Sequence, residues 1–121
     1  MPDAPLEFPN IDLEAFERLV VAELDALPDA AVDGLDNVVF LVEDRPEDGW
    51  MLGVYDGVDL TERGTYDWGP LPDRIILFRE PLLEYCSSLD ELRHEIHVTL
   101  VHEIGHFYGI DDAQLHELGW G

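Results

Sequence analysis

Lysine is absent from this chain of 121 residues, whose 6 basic residues, all arginine, face 28 acidic ones for a formal net charge of -22. A surface so poor in positive charge repels phosphate backbones and anionic headgroups, which excludes nucleic acid and anionic membranes as partners. Cysteine occurs once, as Cys86. No internal disulfide is possible, and a lone thiol agrees with a reducing compartment. Long apolar runs are missing as well: no segment reaches the ~18 residues that a membrane span needs. The first residues, MPDAPLEFPNID, have neither the basic start nor the apolar run of a secretory signal. The expectation is a cytoplasmic protein. Methionine stands only at positions 1 and 51.

What is present is enough apolar material for a core. Hydrophobic residues make up 46% and the mean hydropathy is -0.08, values of a globular protein that buries much of its chain. The length predicts a single domain over residues 1–121, a monomer, with 1–9 held extended by Pro2, Pro5 and Pro9. The plainest meaning of the acidity is a solvated surface, and a weaker consequence is a negative field that favours cationic peptides and metal ions. Cys86 is expected to be a small buried residue beside Tyr85, with a regulatory thiol on a metal as the alternative.

Periodicity places the elements. Leu13, Phe16, Val20, Leu24 and Leu27 recur at three and four, predicting an amphipathic helix over 11–27, capped by Asn10 and ended by Pro28. After a turn at Gly34, Asn37 to Val42 predicts a buried strand, and Trp50 to Tyr55 a second. Glycines and prolines make 58–73 a loop that could hold a short strand, and Arg74 to Arg79 is the third strand, ended by Pro81. An irregular or helical link runs to Cys86. Ser88 with Glu91 forms a capping box opening a helix whose core stripe is Leu92, Ile96, Leu100, Ile104 and Phe107. Val98 and Val101 on other faces predict that it is buried nearly all round, and Gly109 is placed to end it. Asp111 with Gln114 resembles another capping box before a short last helix over 113–118.

The chemistry-bearing stretch is His102-Glu103-Ile104-Gly105-His106, H-E-x-x-H on that helix. Residues four apart share a helix face, so both imidazoles can reach one ion. Zinc suits imidazole nitrogen at about 2.0–2.1 Å, and a catalytic zinc takes three protein ligands and leaves one position open. By composition the bare pattern should occur in roughly two chains per hundred of this length, and requiring Gly109 and Asp112 at the following three-residue steps lowers that about a hundredfold. Glycine at 109 lets the chain turn back beneath the same ion. Asp112 is the first candidate for third ligand, then His116, then Glu117, while Asp111 is assigned the cap. Glu103, adjacent to His102, is better placed to hold a water than the metal, as a general base. His97 lies opposite the metal face, and His94 is expected at the surface.

This stretch resembles the zincins, in the form H-E-x-x-H-x-x-G-x-x-D, which is similar to a metzincin site with aspartate as third ligand. It differs in having no methionine after Met51 to form the methionine turn of that group. Over roughly 35–120 the chain resembles a family of very small zincin-like metallopeptidases, through G-V-x-L-T-E-R at 57–63, P-D-R-I-x-L-x-R at 72–79 and D-D-A-Q-L-H-E-L-G at 111–119. The resemblance implies an α+β fold: an N-terminal helix, a mixed sheet of three or four strands on a buried active-site helix, and a short C-terminal helix. It also implies zinc as cofactor and hydrolysis of a peptide or protein substrate added as a strand at a sheet edge, Trp50 to Tyr55 or Arg74 to Phe78. Tyr66, Tyr108, His97 and His116 are the candidate oxyanion stabilisers by chemistry. The alternative is a metal-binding or partner-binding module that keeps the site for stability or regulation.

Overall fold

Helix α1 (Leu13–Ala26) starts two residues later than Asn10 would have it, because Asp12 is the cap: its Oδ1 accepts from the backbone N–H of Ala15 at 2.8 Å. Asn10 is spent in a turn, donating its N–H to the carbonyl of Glu7. Ile11 and Phe16, which flank that cap at the positions of a hydrophobic staple, are both buried. A computed structural model describes residues 7–57, 72–110 and 113, and the expectations for 1–6, 58–71, 111–112 and 114–121 lie outside the described residues. Pro28 ends α1 as expected, and it then caps a one-turn helix, α2 (Asp29–Val32), which the apolar pattern does not announce.

Strands β1 (Val38–Glu43), β2 (Gly53–Asp56) and β3 (Asp73–Phe78) form a mixed sheet in the order β1-β3-β2, parallel between β1 and β3 and antiparallel between β2 and β3. The fold class is α+β, as expected. Register puts Val38, Phe40, Val42, Ile75, Leu77 and Tyr55 on the face that meets the helices. Two corrections follow from the order. Among the described residues the β1 run is an edge rather than a buried strand, with Val39 and Leu41 exposed on its far face. Strand β3 is central, so Arg74 to Phe78 offers no free edge to a substrate. Strand β2 also begins later than Trp50: Trp50 lies outside the sheet, its ring tilted at 49° to that of Tyr85, and donates its indole N–H to Glu84 at 3.1 Å.

Pro81 ends β3 by standing in the first turn of α3 (Arg79–Tyr85), where proline costs no helical hydrogen bond. Arg79 anchors that junction, donating to Asp44 at 2.8 Å and to the carbonyl of Ile11 at 2.9 Å. Helix α4 (Leu89–Phe107) opens at the expected Ser88, whose hydroxyl accepts from the N–H of Glu91 at 3.1 Å. Such a cap contributes about 1 kcal/mol. The stripe Leu92, Ile96, Leu100 and Ile104 is almost wholly buried, at about 1.5–3 kcal/mol per side chain, so packing rather than capping holds α4 on the sheet. The helix is not buried all round: Arg93 and His94 are exposed and Val98 and Val101 only half-buried.

Cys86 lies in the core, as expected, and desolvation, with the charges of Glu91 and Glu95, pushes its thiol up to about 11. A thiol so held stays protonated at neutral pH, which disfavours the alternative of a metal-seeking thiolate. The folded chain therefore binds this proton more tightly than the unfolded chain, whose thiol titrates near 9. Its contribution to stability is complete below pH ~9 and is lost as pH rises toward about 11. Denaturant midpoints across that window should fall more in the native chain than in Cys86→Ala, and equal slopes would refute the assignment.

Candidate metal centre

The last two turns of α4 carry the histidines where β2 crosses the helix. His102 and His106 stand one turn apart with ring centroids 4.7 Å apart and planes at 71°. One ligand atom from each of His102, Glu103 and His106 falls within 4.8 Å of the others. Glu103 is buried, only 7% exposed. Its Oε1 is 3.1 Å from Nδ1 of His106. A carboxylate that accepts from Nδ1 leaves the ring's lone pair on Nε2, the tautomer suited to a metal ligand.

Gly53 lets the helix come this close. A Cβ there would stand 2.7 Å from Cγ2 of Thr99, 3.1 Å from the carbonyl oxygen of Ile76 and 3.8 Å from Cγ of Glu103. Beyond the histidines, Gly109 takes the left-handed conformation (φ 76°) that was expected of it. The N–H of Gly109 bonds the carbonyl of His106 at 3.0 Å and that of Ile110 bonds Gly105 at 2.9 Å, a Schellman motif that turns the chain sharply.

Two candidate oxyanion stabilisers are engaged elsewhere. The Tyr108 hydroxyl donates to the carbonyl of Ala31 at 3.0 Å, and His97 Nδ1 is 3.7 Å from Glu23 on α1. His94 is exposed, as expected. Asp112, the expected third ligand, lies outside the described residues, as do Asp111, His116, Glu117 and Tyr66.

Comparison with known proteins decides the family. The family model described as zincin-like metallopeptidase matches residues 35–120, the span that the resemblance covers. The chain belongs to this family. A solved structure of a conserved hypothetical protein from Thermo thermophilus is similar at 26% identity, over 81% of this chain and 94% of that chain, with a TM-score of 0.57. No curated protein matches. Among the described residues no helix is long and apolar enough to cross a membrane.

Membership of the zincin-like family implies a metal, and the donor set fits one. Two nitrogens on one tetrahedral ion stand roughly 3.3 Å apart at zinc's bond lengths. The 4.8 Å spread of the three candidate atoms is within a small side-chain rotation of that. A buried carboxylate whose described partner is an imidazole is, besides, a group that a nearby cation stabilises.

Beside the centre opens a cavity of about 240 Å³ between the start of β2 and α4. Its helical wall is Glu95, Val98, Thr99, His102 and Glu103. Only the last two stand out from the sequence as site residues. The signal for the others was there: 95, 98, 99 and 102 follow the three-and-four spacing, so they continue the histidine face toward the start of the helix.

Proposed function

We propose that this zincin-like chain is a zinc-dependent metallopeptidase, with His102 and His106 as two zinc ligands, Asp112 as the third and Glu103 as general base. The observation that carries this reading is a buried carboxylate grouped with two imidazoles, the three donors within 4.8 Å of one another, with His102 and Glu103 lining an open cavity. Bound zinc would supply a Lewis acid that polarises a carbonyl and lowers the pKa of water to about 7. Glu103 holds the attacking water, takes its proton and returns it to the leaving amine. His106 keeps the carboxylate aimed through its Nδ1 contact. Among the described residues β2 is paired on one edge alone, so the backbone of Gly53–Asp56 is the edge on which a peptide or protein substrate would add as a strand. The acidic surface accords with a cytoplasmic monomer that avoids nucleic acid and membranes.

Elemental analysis together with hydrolysis of casein and of short peptides tests the reading. Expected are one zinc per chain, loss of hydrolysis with a chelator, recovery on adding zinc, and loss of zinc in His106→Ala. Stoichiometric zinc without hydrolysis of any peptide would instead indicate a metal-binding module. Asp112→Ala should weaken zinc binding, and unchanged affinity would move the third ligand to His116 or Glu117.

A further inference from the structure

The cavity beside the metal centre has two unlike ends. At one are His102 and Glu103, and at the other, two helical turns back, is Glu95. Eight residues along α4 separate the two glutamates, about 12 Å at 1.5 Å per residue. Between them the wall is aliphatic: Val98, the methyl side of Thr99 and, across from α4, Leu52. Gly53, packed closely against Thr99, adds no side chain to this wall. Glu95 is half-buried and makes no hydrogen bond or ion pair with a described residue. By contrast, four arginines of the fold, Arg18, Arg45, Arg74 and Arg79, are each committed to other carboxylates.

A slot with apolar walls and a carboxylate at its far end matches one kind of side chain, a long aliphatic stem with a cationic head. We infer that this cavity is the specificity pocket, that Glu95 is its selecting residue, and that the substrates are peptides with arginine or lysine next to the scissile bond. The inference rests on the proposed peptidase reading of the adjacent centre. An acidic residue in the slot would be repelled by Glu95 and Glu103 together, and a short apolar one would leave the carboxylate facing an empty space. The selection is local rather than a result of the net charge of -22, since one glutamate is a small part of that field and the Debye length is about 8 Å at physiological salt.

The test uses the full chain with zinc added, at about 0.15 M salt. The probes are octapeptides of glycine, alanine and serine that carry one arginine, lysine, leucine, glutamine or glutamate at the central position. Binding is read by spectral titration and cleavage in parallel. The arginine and lysine peptides should bind at least tenfold more tightly than the glutamate peptide. Glu95→Gln should remove most of that preference and Glu95→Lys should reverse it. Glu17→Gln, an equal change of charge on exposed α1, should leave it intact. Equal binding of the arginine and glutamate peptides, no measurable binding of the arginine peptide at millimolar concentration, or an unchanged order in Glu95→Lys would each overturn the inference. Selective binding without cleavage would leave the pocket standing and sink the peptidase reading instead.

Discussion

Glu103→Gln should lower kcat for peptide hydrolysis by about 10²–10⁴-fold, the usual contribution of a general base, with zinc content unchanged. Glutamine keeps the shape and still offers an acceptor to Nδ1 of His106, so the 3.1 Å contact and the aim of that imidazole survive. What it loses is the capacity to take a proton. Stability should not suffer, because a buried amide costs less to desolvate than a buried carboxylate. The loss should fall on kcat, since the affected interaction forms only as the water attacks. Stoichiometric zinc with undiminished turnover in the variant would remove Glu103 from the chemistry and leave it a structural partner of His106.

How much of this centre could be read from the residues depends on whether the relevant interaction is local. The placement of His102 and His106 on one face follows from helical period alone, and Ser88 and Gly109 mark the ends of that helix by rules spanning a few residues. All three appear where expected. The sheet order is a matter of non-local pairing. The runs at Val38 and Ile75 are equally apolar, and nothing within either says that β3 takes the centre and that β1, among the described residues, is an edge with Val39 and Leu41 exposed. Arg79 shows the same divide: its charge is visible in the sequence, whereas its bond to the carbonyl of Ile11 joins residues 68 apart.

The acidity takes on a different meaning once these contacts are known. With Arg18, Arg45, Arg74 and Arg79 tied to Glu14, Glu80, Asp56 and Asp44, those four acids are locally compensated, and the remaining carboxylates set the field. Glu103 and Glu95 are the ones at the cavity. A cation arriving there meets two carboxylates backed by a helix wall of low polarity, where attraction is stronger than at an open surface. General solvation explains the bulk of the charge, and the cavity explains why two of its members sit where solvation is reduced.

Gly53→Ala should disturb the centre although Gly53 is neither a candidate ligand nor the candidate base. The added methyl would stand 2.7 Å from Cγ2 of Thr99 and 3.1 Å from the Ile76 carbonyl, too close for either to stay in place. Thr99 is buried on a packed helix and Ile76 belongs to the central strand, so relief requires β2 and α4 to separate slightly. Overpacking of this kind costs about 1–3 kcal/mol. Glu103 lies one turn beyond Thr99 and moves with it, and misplacing a catalytic group by about 1 Å can cost 10²-fold in rate. Thr99→Ser removes the offending Cγ2, so Gly53→Ala with Thr99→Ser should recover most of the lost stability and turnover. The coupling in that double-mutant cycle should be about 0.5–3 kcal/mol. Additive effects would assign the clash to the Ile76 carbonyl, and an unperturbed Gly53→Ala chain would show that the close approach of β2 and α4 is not what positions Glu103.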